Sequence, residues 1–375
     1  MSTYVDIHVI QNLPPSCVNR DDSGSPKSAV YGGVRRLRVS SQSWKRATRL
    51  YFNDLLDASD VGVRTKRVAE LLAARITEDA PDLAETAPAL VGEVFKAARI
   101  KLSAPRGKKD GPLESGYLLF LSTSQVARLA ELAIASARGG EALDAKAVKK
   151  VFKEPHAVDI ALFGRMVADN TDLNIDAACQ VAHAISTHAA ENEYDFFTAV
   201  DDAKSRSEEE DAGAGMMGTV EFSSATMYRY ATVNIDMLRH NLGDGEAALR
   251  ALEVFIRGFC LSMPTGKQNT FANRTVPEAV VVAVREDQPV SLAGAFEEAV
   301  PADAAHGYTA RSVQALARYA ATIEDSYGLE PLRSFVVALT DGDAVASLGE
   351  RVSFKDLPER VREVVAPRLP GQERA

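Results

Sequence analysis

RDDSGSPKSAVYGGVRRLRVSSQSWKRATR, residues 20–49, passes through three kinds of local structure. Its first part closes a run, residues 11–33, that is rich in Pro, Ser, Asp and Gly and reads as a long loop. Loops of that length inside compact domains usually carry function. Val34 to Ser40 turns extended. Ser40 or Ser41 is then placed to cap a helix that runs to about Asp54. Trp44, Ala47, Tyr51 and Leu55 recur at helical spacing and are expected to face a core, with Lys45, Arg46 and Arg49 beside them. Ser40, Ser41, Gln42 and Ser43 occupy the helix start, where free backbone N–H groups and the positive dipole end favour a phosphate.

Charge sharpens that expectation. The stretch holds Arg20, Lys27, Arg35, Arg36, Arg38, Lys45, Arg46 and Arg49 against Asp21 and Asp22, in a chain of net charge −9. A cation concentration inside an acidic protein suits a polyanion, because Lys and Arg neutralise phosphates and release counterions. The competing reading is a solvated helix face beside a polar loop. The overall negative charge disfavours indiscriminate nucleic-acid binding.

At 375 residues, 46% hydrophobic and 25% charged, the chain is ordinary for a globular protein of two or three folding units. No apolar run approaches membrane-spanning length, so no membrane is expected. The opening MSTYVDIHVI carries neither a basic leader nor a small-residue cleavage site, which predicts a chain without a secretory signal. Cys17, Cys179 and Cys260 are far apart and odd in number, which predicts a reducing, cytoplasmic setting without disulfides or a cysteine-based zinc site. His183 and His188 lie five apart, a spacing that suits neither one helical face nor one face of a strand.

Around the central stretch, residues 4–10 alternate as a strand with Val5, Ile7 and Val9 on an apolar inner face. From about Ser59 to Gln180 the texture becomes helical and alanine-rich, with segments at 66–79, 84–101, 124–138 and 141–153. Lys108 and Lys109 sit in a loop of this insertion. Lys146, Lys149, Lys150 and Lys153 fall within an arc of about 100° on its last helix, a basic stripe opposite apolar residues. Residues 181–188 fit either a strand or a helix end. KSRSEEEDAGAGMMG, residues 204–218, cannot form a core and reads as a protruding hairpin or arm tipped by Met216 and Met217. Thr219 to Ile235 is extended, about 246–261 is helical, 279–285 is a buried strand, about 309–326 a helix, 333–340 a strand and 355–365 a short helix. The architecture is α+β, with an order compatible with a ferredoxin-like or RNA-recognition sheet.

The loop around Lys267 lacks the spacing of a nucleotide-triphosphate cradle, and no serine elbow, zincin or dinucleotide fingerprint is present. Asp21 and Asp22 are the best placed acids for a metal-dependent nuclease, with Asp201 and Asp202 second. Adjacent acids point apart on a strand, and loop acids more often cap or solubilise.

PSCVNRDD at 15–22, YGGVRRLRVSSQSWKRA at 31–47, VDIALFGRM at 158–166, AHAISTH at 182–188, FFTAVDD at 196–202, EFSSATMYRYATVNI at 221–235 and GKQNTFA at 266–272 run in one order along the chain. Together they resemble the CasC family, the backbone subunit of the type I-E CRISPR Cascade complex within the repeat-associated mysterious protein superfamily. The resemblance implies a hand-shaped subunit: a modified RNA-recognition palm, an inserted helical finger domain and a protruding thumb hairpin. On this sequence the palm takes 1–58, 181–195 and 223–366, the fingers 59–180, the thumb 196–222 and a flexible tail 367–375.

It further implies that copies polymerise along the spacer of a CRISPR RNA. Each thumb reaches the next copy and displaces a guide base at regular intervals, and the intervals between pair with target DNA. The implied partners are the CRISPR RNA, the target DNA, further copies, the large, small, guide-processing and guide-end-capping subunits, and a recruited nuclease-helicase. No catalytic residue, metal or cofactor is implied. Guide-backbone contact carries over to Arg20, Lys27, Arg38, Ser40, Gln42, Lys45, Arg46 and Arg49, and a palm loop near the guide to Lys267 and Gln268. Met166 matches a finger residue beside the displaced base, and Phe197, Thr198 and Val200 match the thumb base. The four finger lysines match in position on their helix. Asp21 and Asp22 then read as local partners that position Arg20.

Overall fold

Asp6 and His8 are as deeply buried as Val5, Ile7 and Val9. The first strand is therefore covered on both faces, where the alternation alone predicts a single apolar inner face. Its polar side chains are tolerated because each has a partner. Asp6 accepts from Arg285 Nε at 3.1 Å, the Val290 amide at 2.9 Å and the Tyr230 hydroxyl at 2.9 Å, while His8 Nδ1 lies 2.9 Å from the Tyr228 hydroxyl. The computed structural model describes residues 2–105, 111–153, 156–199, 216–303 and 307–369.

In chain order the elements are β1 (Tyr4–Ser16), β2 (Ser28–Tyr31), β3 (Val34–Val39), α1 (Ser41–Phe52), β4 (Gly62–Thr65), α2 (Val68–Asp79), α3 (Ala87–Ala97), β5 (Leu102–Ser103), β6 (Glu114–Ser115), β7 (Leu119–Ser122), α4 (Thr123–Gly139), α5 (Ala145–Lys153) and α6 (Val158–Phe163). They continue with β8 (Cys179–Val181), β9 (Ala184–Ser186), β10 (Glu193–Ala199), β11 (Met216–Asn234), α7 (Ile235–Leu242), α8 (Gly245–Leu261), α9 (Gln268–Phe271), β12 (Ala279–Arg285), α10 (Tyr308–Tyr327), β13 (Arg333–Ala338), α11 (Asp343–Ser347), β14 (Glu350–Arg351) and α12 (Leu357–Val365).

The long loop expected over 11–33 is shorter than its composition suggests. β1 runs on to Ser16, and β2 folds back on β3 from Ser28↔Leu37 to Tyr31↔Val34. Gly32 and Gly33 make that two-residue turn at φ 58° and 76°, the left-handed region a primed hairpin turn requires. The expected stripe on α1 also shifts. Trp44, Ala47, Thr48 and Phe52 are buried, Tyr51 is half-buried and Leu55 is exposed beyond the helix end.

Two compact units share the chain. The first takes the chain up to Thr48, with Val181–Thr232 and Phe255–Val365. Its sheet runs in the order β14-β13-β12-β1-β11-β9-β3-β2, with β10 pairing β11 off that path. β1 pairs antiparallel with β12 from Tyr4↔Arg285 to Ile10↔Ala279. β12, AVVVAVR, is buried at all seven positions, as a β-branched central strand should be. Within this sheet β1, α1, β9, β11, α8 and β12 form a strand–helix–strand–strand–helix–strand succession whose strands lie side by side as β12-β1-β11-β9. Ile10, Tyr228, Val281, Phe296, Leu316 and Val336 are among the residues of the core beneath α10.

The second unit takes Arg49–Gln180, Val233–Val254 and the chain from Ala366. Its core joins Leu72 and Ile76 of α2, Val94 and Phe95 of α3, Leu129 of α4 and Phe152 of α5. α4 begins with a capping box in which Ser122 and Gln125 satisfy each other's amides at 3.0 and 3.2 Å. Among the described residues, no helix is long and apolar enough to cross a membrane.

Candidate nucleic-acid interface

The loop after β1 is built by its own polar side chains. The Asp21 carboxylate accepts from the Ser23 amide at 3.0 Å, the Ser23 hydroxyl at 2.7 Å and the Ser25 amide at 3.0 Å. These bonds, the Ser23 hydroxyl first, hold Asp21 below the usual carboxylate range. Asp21 thus folds the loop. The expectation that it positions Arg20 gives way to these serine contacts, and Arg20 is set instead by an isolated bridge to Pro26.

Asn19 ties the loop to α1. Its Oδ1 accepts from the Ser40 amide at 2.8 Å, and its carbonyl accepts from the Lys27 amide at 3.0 Å. Ser40 is itself the helix cap, accepting from the Ser43 amide at 3.3 Å on its hydroxyl and 3.0 Å on its carbonyl. Ser41 and Ser43 are half-buried and Gln42 is exposed. Arg46 is exposed and Lys45 half-buried on the flank of the helix.

A second segment closes on the same loop. Gly266 and residues Val18 to Gly24 line one open cleft. A Cβ at Gly266 would stand 2.4 Å from the Val18 carbonyl oxygen, so only glycine lets the two chains cross here. Lys267 follows with φ 52°, outside the range most side chains prefer, and half-buried Gln268 starts α9. Burial pushes the Cys17 thiol up, while Arg20 and Lys267 both pull it down. Those two cations, far apart in sequence, therefore bear on one buried atom. Phe271 of α9 packs its ring 5.9 Å from Phe222 of β11.

The sheet edge adds further cations. The Arg38 amide donates to the Lys27 carbonyl at 2.9 Å, its Nε donates to the Ser28 carbonyl at 3.2 Å, and its Nη1 donates to His183 Nδ1 at 3.1 Å. Burial, Arg38 and Lys27 lower the pKa of His183. Asn19 and His183 lie within the blocks PSCVNRDD and AHAISTH, but no local pattern gives either of them a contact in the site. Periodicity cannot find a contact between residues 38 and 183. Charge counting places Arg36 in the same patch, and the structure corrects this. Arg36 is 0% exposed and donates to the carbonyls of Tyr31, Ser186, Phe296 and Glu297, at 2.8 to 3.2 Å. It is a buried strut.

In the second unit Arg49 lies 3.3 Å from the Asp159 carboxylate and 4.3 Å over the Phe120 ring. Lys146, Lys150 and Lys153 are exposed and Lys149 half-buried on α5, opposite buried Val148, Val151 and Phe152. Met166 is 74% exposed. Its neighbour Arg165 is buried and donates to the carbonyls of Phe152 at 2.7 Å and Leu173 at 3.0 Å.

β10 and β11 form a ribbon paired from Glu193↔Phe222 to Ala199↔Met216. Alternation puts Tyr194, Phe196, Thr198 and Met217 on one face. Tyr194, Phe196 and Met217 are exposed there. Phe197 lies on the other face, with Met216. Its ring crosses Gly218, where a Cβ would come within 2.7 Å. Val200, Asp201, Asp202, Lys108 and Lys109 lie outside the described residues. Asp22 is exposed.

A family model described as CT1975-like protein matches residues 5–360. A solved structure titled "CRISPR RNA-guided surveillance complex, pre-nicking" is similar over 96% of this chain and 99% of that one, with TM-score 0.86 and 38% identity. A second, titled "CRISPR RNA-guided surveillance complex", is similar over 96% and 99%, with TM-score 0.76 and 33% identity. No protein of curated function matches the chain.

Proposed function

The chain belongs to the CT1975-like protein family, and from that premise we propose that it is the CRISPR RNA-binding backbone subunit of a Cascade surveillance complex, of type I-E. Copies polymerise along the guide spacer in the cytoplasm and present it for pairing with target DNA. The observation that carries this reading is the meeting of Arg20, Lys27, Arg38 and Lys267 around the Ser40-capped start of α1, in a chain whose net charge is negative. Cations beside the positive dipole end of a helix suit the phosphates of a single strand. Phosphate contacts fix register without choosing sequence, which base pairing supplies.

In this reading the first unit is the palm, related to the RNA-recognition fold, and its strand–helix–strand–strand–helix–strand succession supports the comparison. The helices of the second unit are the fingers. Lys146, Lys149, Lys150 and Lys153 touch guide or target backbone, and Met166 packs beside a displaced base. The β10–β11 ribbon is the thumb, whose Phe197, Thr198, Met216 and Met217 reach toward the next copy. Arg49 can bind a phosphate only by sharing or leaving Asp159. The large, small, guide-processing and end-capping subunits and a recruited nuclease-helicase complete the assembly. The subunit itself is noncatalytic. The serine contacts that occupy Asp21 favour this over a nuclease built on Asp21 and Asp22.

Co-expression with a CRISPR array and the other subunits tests the proposal. A discrete small RNA should copurify in stoichiometric amount. Assembly to full mass without RNA overturns it.

A further inference from the structure

His183 has a fixed proton arrangement. Arginine has no acceptor, so the 3.1 Å contact from Arg38 Nη1 requires a lone pair on His183 Nδ1. The ring proton is therefore on Nε2. His183 is exposed, directly before Ala184, whose pairing with Val39 holds the residue against the sheet edge. The charged groups that bear on the ring are Arg38 from β3 and Lys27 from the loop before β2, and both are cationic. Burial and these two charges lower the pKa of the imidazole. The Lys27 carbonyl accepts from the Arg38 amide at 2.9 Å, which holds the two backbones together, and both charges bear on His183.

Two cations and an N–H donor on an open surface, with no acid bearing on the ring among the described residues, make an incomplete arrangement. A phosphate completes it. We propose that His183 is a third ligand, with Lys27 and Arg38, for one backbone phosphate of single-stranded RNA, and that it binds that phosphate as imidazolium. This rests on the RNA-binding function proposed above. The Nε2–H donates to a phosphate oxygen, whose negative charge offsets the two cations that lower the ring's pKa. A proton from solvent then occupies the Nδ1 lone pair. Nδ1 can no longer accept from Arg38, so Nη1 is released to donate to the same phosphate. Binding takes up one proton, and the guanidinium changes partner from imidazole to phosphate.

The linkage has a definite sign. A group that is protonated in the complex and neutral in the free protein makes affinity rise as pH falls between the two pKa values, by at most about tenfold per pH unit. The test is fluorescence anisotropy of the full chain with a labelled 20-nucleotide polyuridine, from pH 8.5 to pH 5.5 at constant ionic strength. Wild type should gain about fivefold in affinity over that range, within the one-proton limit. His183→Asn places Oδ1 where Nδ1 stood, so it can still accept from Arg38 but cannot titrate. It should bind more weakly than wild type at pH 8.5, because the phosphate loses the Nε2–H contact, and its affinity should no longer rise as pH falls. The same pH dependence in wild type and His183→Asn overturns the inference while leaving RNA binding intact. Failure of wild type to bind at any pH overturns the RNA function itself, and this inference with it.

Discussion

Asp159 and Arg49 form a nearly buried ion pair, 3.3 Å apart, in which the carboxylate is 2% exposed and also accepts from the Gly62 amide at 2.9 Å. Burial is the largest influence on Asp159 and pushes its pKa up to about 6. Arg49, Gly62 and the Ile160 amide pull the other way without cancelling it. The pair therefore holds a charge that the surrounding apolar residues resist.

A folded-state pKa above the unfolded value means that the folded chain binds the proton more tightly. Asp159 should therefore favour folding more at pH 4 than above pH 6, and that advantage should fade as pH rises through about 6. Asp159→Asn, which can keep the Gly62 bond, should flatten this part of the profile of melting temperature against pH. Arg49→Met leaves the carboxylate unpaired and should cost about 3 kcal/mol at pH 8 and less at pH 5. Circular-dichroism melts of the full chain at both pH values decide the sign.

Gly266→Ala drives a methyl group into the Val18 carbonyl, 2.4 Å from the ideal Cβ position. The two loops must separate, at about 1–3 kcal/mol. Lys267 should then move away from Arg20, and RNA affinity should fall more than stability does. Parallel melts and RNA titrations would show it; unchanged affinity would remove Lys267 from the interface.

Arg35 and Arg36 are adjacent in sequence and opposite in consequence. Arg35 is exposed, and Arg36 is buried against four carbonyls. Arg36→Met should cost about 3 kcal/mol by leaving those carbonyls without donors. Arg35→Ala should stay within about 0.5 kcal/mol. Urea titration of the two variants provides the comparison.

The flank of α1 should determine part of the salt response. For single strands, each phosphate neutralised contributes about 0.7 to the slope of log affinity against log salt. Lys45→Ala with Arg46→Ala should reduce that slope by about 1.4 if both cations meet phosphates. An unchanged slope would place them on a solvated face.

Gly218→Val should displace the Phe197 ring that crosses it on the ribbon. The ribbon projects little into either core, so the melting temperature of the single chain should change by no more than about 2 °C. RNA-dependent assembly of several copies should fail, as gel filtration of the reconstituted complex would reveal. Normal assembly would dissociate the ribbon from contact between copies.

Local pattern made much of the fold legible. AVVVAVR is a strand because β-branched residues suit a position buried on both faces, and β12 spans the expected residues. The helices expected at about 246–261 and 309–326 correspond to α8 and α10 within two residues. The Gly32–Gly33 hairpin lies inside the stretch 11–33 whose composition reads as one loop, and the pairing of β2 with β3 is what reveals it. The site was less legible. Cation counting could not separate Arg36 from Arg38, and no local pattern connects Asn19 to Ser40 or Arg38 to His183.

The sequence by itself determined the longer strands and helices, the cation concentration of residues 20–49, the serine-rich start of α1 and the ordered blocks that mark the family, while 181–188 stayed open between strand and helix end. These depend on nearest neighbours and residue type. Only the tertiary structure decided which charges remain at the surface. Arg36 is buried because carbonyls from three separate segments converge on it, and Lys267 meets the Arg20 loop because Gly266 permits a close crossing with Val18. A side chain carries its charge anywhere in the chain, but its solvation and partners depend on distant segments brought together by the sheet.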